Sequence, residues 1–429
     1  MFVNIKALFT AVLFFDNSFY LTSSFSHLKK YFRYTLLAVA LCASCCFHPV
    51  IAQDSTSVHS LLRQIEDQQL RHDPFFMPGI FPSYVSNKKV YRQQRKDNNV
   101  FYTALISYTL KKIRPGLPAS DQTIVDSIIS RSEKAVVLFK NRKGKETYNF
   151  WRTDSAYRLP YLWGLNITKK NMLDDDPDCT SICLLSLHVT DPIAQNAHEV
   201  MQDYVNDADN PTQTTFSRYR SYEAYSTWMG NRLPVVFDIC VLCNILTFVQ
   251  EYNLPWSKAD SASLDLIVAT INNKDHLRNP FIVAPYYGGS SVILYHLARL
   301  MSIKPIPALE ALKDSLASDA QRLLQQTHDG FEKIVLSNAL LKWNLDPGIT
   351  TPASPEKIGE SNVPFFIGNI PSIFNFVLKK PLSKKEVGFY YHYCPAFNNV
   401  LLLEHVVLRR KSNGNNFTFD TPTSKRTVE

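Results

Sequence analysis

Apolar residues return every three to four positions along almost the whole chain after residue 52, and this period restricts the fold more than any other feature. A 3.6-residue repeat puts those positions on one face of a helix, whereas the two-residue alternation of half-buried strands does not recur. Helices are expected at 57–72, 99–113, 120–140, 177–189, 192–206, 217–229, 235–252, 261–273, 290–301, from Pro307 onward, 330–343 and 398–409. Ser120 reads as the cap of a helix whose Ile124, Val125, Ile128 and Ile129 share a face. Behind Pro307, Leu309, Leu312, Leu316 and Leu323 recur at the same spacing. Asp176-Pro177 and Asp191-Pro192 each read as an N-cap followed by proline at the first helical position. The segments 352–364 and 369–387 read as the least helical.

Two segments are apolar on every side. Residues 235–252 carry Val235, Val236, Phe237, Ile239, Val241, Leu242, Ile245, Leu246, Phe248 and Val249, and 177–189 is nearly as apolar after its first turn. A helix without a polar stripe is buried all round. Wholly buried helices alternating with amphipathic ones predict two concentric layers, and the short connections predict antiparallel hairpins. A 45% hydrophobic content supplies a core for one large domain, and 13 glycines in 429 residues do not suit a turn-rich all-β fold.

The N-terminal stretch reads as a leader. Lys29, Lys30 and Arg33 precede an apolar run from Thr35 to Phe47 and a Val50-Ile51-Ala52 ending, the order of a secretory signal cleaved after Ala52. Residues 1–28 exceed the usual charged flank, which fits either an over-extended start or a first weak apolar run at Ala7–Phe15. The division expected is a signal peptide at 1–52, one helical domain at 53–410 and a polar tail at 411–429, in a periplasmic or secreted protein with no stable membrane span after cleavage. Of the formal charge of +8, the leader holds +3 (Lys6, Lys29, Lys30 and Arg33 against Asp16), leaving +5 without a basic stripe. No nucleic-acid partner is expected from such a balance. Cys179, Cys183, Cys240, Cys243 and Cys394 follow the leader. The first four lie in apolar runs, where thiols pack as small hydrophobes rather than hold zinc.

The run Leu173-Asp174-Asp175-Asp176-Pro177-Asp178-Cys179-Thr180-Ser181 opens one of the buried helices. It resembles the Asp-x-Asp-Asp-Thr element of class II terpenoid cyclases, as do, more loosely, Asn149-Phe150-Trp151, Asp238 through Leu246, Pro285-Tyr286-Tyr287 and Ile293 through Arg299. The resemblance spans residues 148–409 and implies a divergent bacterial member of the terpenoid cyclase and protein prenyltransferase-like superfamily. The fold it implies is all-α, an α/α toroid of antiparallel hairpins with inner and outer layers. It also implies that Asp178 is the protonating acid with Asp176 beside it, although Cys179 stands where the third acid belongs and the glutamine-tryptophan repeats of triterpene cyclases are absent. No cofactor is implied. Asp238, Asn244, Trp151, Tyr286 and Tyr287 are the candidates to line a cavity.

The same run supports other readings. Asp174, Asp175 and Asp178 have the spacing of the magnesium element of class I terpenoid synthases. The nearest second element, residues 206–209, lacks the hydroxyl and glutamate that would complete it. Carboxylates at a helix start also simply cap it. The main reading is acid-initiated cyclisation, or binding, of an isoprenoid or lipid; export weakens it, and the alternatives are a non-catalytic extracytoplasmic binding protein and a toroid of the polysaccharide lyase or glycosidase type. The partners expected are therefore a small hydrophobic molecule or a glycan; the sequence leaves the oligomeric state open. His188, His198, His296 and His392 show no metal-ligand spacing.

Overall fold

The computed structural model describes residues 50–87, 94–154, 157–158, 166–167, 173–349, 358, 361 and 363–414, with side chains at all but 50–57, 157–158 and 166–167. The expected leader, save the backbone of 50–52, and the tail beyond 414 lie outside these residues, as does most of 352–364. The chain divides into Met1–Ser57 and Val58–Glu429. Of the first unit only a helical backbone from Val50 is described; the helical layers and the sheet belong to the second.

Twelve helices of two turns or more are described: α1 (Val50–Gln68), α2 (Phe101–Ile113), α3 (Ala119–Val136), α4 (Pro177–Leu187), α5 (Asp191–Gln202), α6 (Ile239–Glu251), α7 (Lys258–Asn272), α8 (Ser290–Met301), α9 (Lys313–Gln326), α10 (Gly330–Lys342), α11 (Phe376–Lys384) and α12 (Pro395–Ser412). Packing runs from α2 to α4, α6, α8, α10 and α12 in turn, and α12 packs back on α2. Between these, α3 lies on α2, α5 on α4, α7 on α6, and α9 on α8 and α10. The result is an α/α toroid-like arrangement of helical hairpins. The two helices read as apolar on all sides belong to the inner series: in α6 every residue from Ile239 to Gln250 is buried, and in α4 every residue from Pro177 to Ser186. Among the described residues no helix is long and apolar enough to cross a membrane.

Six short strands were not expected. β1 (Ser83–Ser86), β2 (Arg95–Asp97), β5 (Phe366–Asn369) and β6 (Phe389–Tyr393) form an antiparallel sheet in the order β2-β1-β6-β5, and β3 (Tyr157–Arg158) pairs with β4 (Asn166–Ile167). β6 is buried at four of its five residues, so no apolar-polar alternation announces it.

Other expectations need correction. Residues 217–229 hold only a 3-10 turn, Ser217–Tyr219, because their backbone is bonded elsewhere: Ser226 N–H to Tyr204, Thr227 N–H to Val236 and Met229 N–H to Asp175. The helix behind Pro307 breaks after Glu310 and restarts at Lys313. Residues 369–387 contain α11, capped by Asn375 and carrying Pro381 within it. Residues 235–238 are outside α6, with Asp238 its N-cap. Neither Ser120 nor Asp191 caps; Pro118 and Thr190 hold those positions, whereas Asp176 caps α4 as expected.

Connection lengths differ between the two ends of the inner helices. Those leaving the C-terminal ends of α2, α4 and α6 are brief, 114–118, 188–190 and 252–257. Those entering the N-terminal ends of α2, α4, α6 and α8 are 69–100, 137–176, 203–238 and 273–289, and 343–394 leads into α12. These long segments are joined to one another. β1 pairs with β6, Trp151 donates to Asp97, Phe376 N–H donates to the Gln213 carbonyl, and Gly288 N–H donates to the Phe365 carbonyl. A rigid scaffold carrying its long connections at one end is the usual platform for a functional surface.

Candidate functional site

The acidic run enters this end of the inner helices, and the fold gives each carboxylate separate work. Asp174 packs over Gly230, where a Cβ would overlap its carboxylate, and faces the Arg232 guanidinium at 3.9 Å. Asp175 accepts from Thr147 Oγ1 at 2.6 Å, from Asn149 Nδ2 at 3.3 Å and from Asn141. Asp176 accepts from Cys179 N–H at 2.6 Å, the capping bond of α4. Asp178, in the first turn of α4, turns inward and is 4% exposed. Asp174, Asp175 and Asp178 are thus not brought together. Among the described residues no group of three His, Cys, Asp or Glu side chains could hold a metal ion, so the magnesium reading has no donor set.

The inward group is a buried polar network. Tyr287 donates its hydroxyl to Asp178 Oδ2 at 2.6 Å, and Asn244 Nδ2 donates to Asp178 Oδ1 and lies 3.0 Å from the Tyr287 hydroxyl. Arg299 of α8 donates to Asn244 Oδ1. Burial pushes the Asp178 carboxyl up to about 6, while Tyr287, Asn244 and the Arg299 charge pull it back. Burial also raises Asp176 well above the usual carboxylate range and Asp238 to about 7. Asp238 accepts from Cys240, Val241 and Tyr286 N–H, which makes it the clamp between α6 and the connection ahead of α8.

Aromatic rings close over this network. Tyr287 contacts His296 at 4.5 Å, Phe366 at 5.6 Å and Phe365 at 5.9 Å, and Phe150 stacks on Phe366 at 5.5 Å. Of the five residues expected to line a cavity, Asn244 and Tyr287 meet Asp178, and Asp238 lies close enough to feel its charge. Trp151 instead donates to Asp97 at 2.8 Å beneath the sheet, beside His392 and Asn99. Tyr286 turns the other way and bonds Ser372 at 2.7 Å and Trp228 Nε1 at 3.1 Å.

Four residues at this end carry chemistry that the sequence did not single out. Trp228 is half-buried, edge-on to Tyr286 with centroids 5.6 Å apart, on the segment that places Gly230 and Arg232 against Asp174. Gly230 just after a tryptophan was a turn signal, but it sat at the end of an expected helix. Arg299 was one basic residue in an apolar helix. Lys379 of α11 is fully buried, donates to the Ile282 carbonyl at 3.2 Å and is lowered to about 7 by burial, against the pull of Asp238. Among the described residues, Cys179, Cys183, Cys240, Cys243 and Cys394 are buried and unpaired, and burial raises their thiols above the usual range, which leaves them unreactive packing groups.

No family model matches the chain, and no curated protein matches it. Two solved structures are similar to it. One is a crystal structure of a protein from Actinoplanes, 12% identical with a TM-score of 0.46, covering 84% of this chain and 99% of that chain. The other is a crystal structure of an unsaturated glucuronyl hydrolase specific for heparin, 10% identical with a TM-score of 0.39, covering 84% of this chain and 96% of that chain.

Proposed function

We propose that this chain is an exported, closed α/α toroid that binds a glycan where its long connections meet. The observation that carries the reading is that one segment at that end sets the half-buried Trp228 edge-on to Tyr286 and, four residues on, brings Arg232 to Asp174. A half-buried indole offers a flat apolar surface to a sugar ring, and the flanking Asp174 and Arg232 offer an acceptor and donors for its hydroxyls. Asp178 is buried at this end and fixes the Tyr287 loop through the Tyr287 hydroxyl.

The terpenoid cyclase alternative asks for an acid that stays protonated until an alkene arrives. Burial raises the Asp178 carboxyl to about 6, and against that Tyr287, Asn244 and Arg299 favour its ionised form. Tyr287 and Asn244 already engage the carboxyl that a cyclase would need free to meet an alkene.

The test is a glycan microarray carrying neutral, amino and uronic-acid oligosaccharides, probed with the purified protein, beside an assay for turnover of squalene and polyprenyl diphosphates. Glycan binding that weakens in Arg232→Ala is expected. Conversion of an isoprenoid, with no glycan retained, would overturn the proposal.

A further inference from the structure

A recess lies at the opposite end of the inner helices, where the short connections run. It is open to solvent and offers about 480 Å³ between the C-terminal end of α6, the 252–257 turn and the segment leading to Pro307. This volume is within the range of small-molecule sites.

Its walls are unlike in character. Leu254, Pro305 and the indole of Trp256, which is 41% exposed, make an apolar side. The exposed part of this indole borders the recess. Gln250, on the floor, is only 5% exposed, and its Oε1 has no hydrogen-bond partner among the described residues. A ligand donor that reached it would satisfy an acceptor the fold leaves orphaned. At the rim, Lys304 donates to the neutral Asn253 amide and has no acid partner among the described residues. Asn253 holds that place in the left-handed backbone region that reverses the chain after α6.

We propose that this recess is a binding site for a small ring-shaped hydroxy acid. One ring face would lie on Trp256 and Pro305, a hydroxyl would donate to Gln250 Oε1, and the carboxylate would meet the Lys304 ammonium. The requirement for an anion and a donor on one ring is what the three walls share. The inference is independent of the glycan proposed for the other end.

Isothermal titration calorimetry with D-galacturonate tests it, with D-galactose as the probe lacking the anion and cyclohexanecarboxylate as the probe lacking the donor. Saturable galacturonate binding is expected, weaker by about tenfold for either control. Lys304→Gln should remove the preference for galacturonate over galactose, and Trp256→Ala should remove binding of both. Both residues are exposed, so the variants keep the fold, which circular dichroism would verify. Gln250→Leu should equalise galacturonate and cyclohexanecarboxylate. No saturable binding of galacturonate, or binding untouched by Lys304→Gln and Trp256→Ala, would overturn the proposal.

Discussion

The Tyr287 hydroxyl donates to Asp178 Oδ2 at 2.6 Å, tying the first turn of α4 to the connection ahead of α8 across the intervening α6. Two further tyrosine–carboxylate bonds reach between inner helices that are not neighbours: Tyr108 of α2 to Glu251 of α6 at 2.9 Å, and Tyr295 of α8 to Glu404 of α12 at 2.9 Å. The interior is therefore crossed by polar bonds as well as filled with apolar side chains. Each is a buried group whose partner cannot be removed without leaving an unsatisfied atom.

Leu242→Ala tests the inner placement of α6. Leu242 is fully buried, and truncation should cost about 2–5 kcal/mol in urea unfolding. Val377→Ala, at a position 78% exposed, should change stability by less than about 0.5 kcal/mol. Equal effects would mean that α6 is not enclosed.

Asp238→Asn separates clamp from catalyst. The carboxylate accepts three backbone N–H bonds, and an amide would turn a donor toward Cys240 and Val241 or toward Tyr286. A loss of about 1–3 kcal/mol is expected at pH 8, measured by urea unfolding. A variant as stable as the parent would show that Asp238 does not hold this junction.

Much of this was readable in the residues. The all-round apolarity of 177–189 and 235–252 required burial on every side, and the structure places their helical parts, 177–187 and 239–251, in the inner series. Asp176-Pro177 announced its helix start because capping is a local interaction. The strands were hidden because β6 is covered on both faces, and 217–229 because its N–H partners, Tyr204, Val236 and Asp175, are fixed only by the tertiary fold. At the site, Asn244 and Tyr287 were named with Asp178. Arg299 and Trp228 were missed, since no spacing rule connects residues that meet only when the inner helices assemble.

Two opposed pH effects should appear in the stability curve. Burial raises Asp178 to about 6 and Asp238 to about 7, so the native state holds protons that the unfolded chain has released. Their favourable contribution is full below the ordinary carboxylate range and is lost as pH rises through 6 to 7. Lys379, lowered to about 7, runs the other way: its cost is full below 7 and is relieved as pH climbs toward 10.5. Lys379→Met should therefore stabilise at pH 6, by on the order of 3 kcal/mol, and much less at pH 10. Unfolding curves of parent and variant that stay parallel between these pH values would refute the assignment.

Gly288→Ala should disturb the aromatic cover. A Cβ there would lie 1.6 Å from the Pro364 carbonyl oxygen, so the backbone around Phe365 must move. A cost of about 1–3 kcal/mol and a changed near-ultraviolet circular dichroism spectrum are expected, with the helical far-ultraviolet signal kept. An unaltered near-ultraviolet spectrum would show that these two segments do not touch.

The central claim, a glycan held at the end where the long connections meet, is tested most directly by calorimetric titration of the strongest microarray glycan into the parent, Trp228→Ala and Arg232→Ala. Saturable binding by the parent is predicted, with a loss of about tenfold or more in each variant and an unchanged far-ultraviolet spectrum. Full affinity in both variants would contradict it.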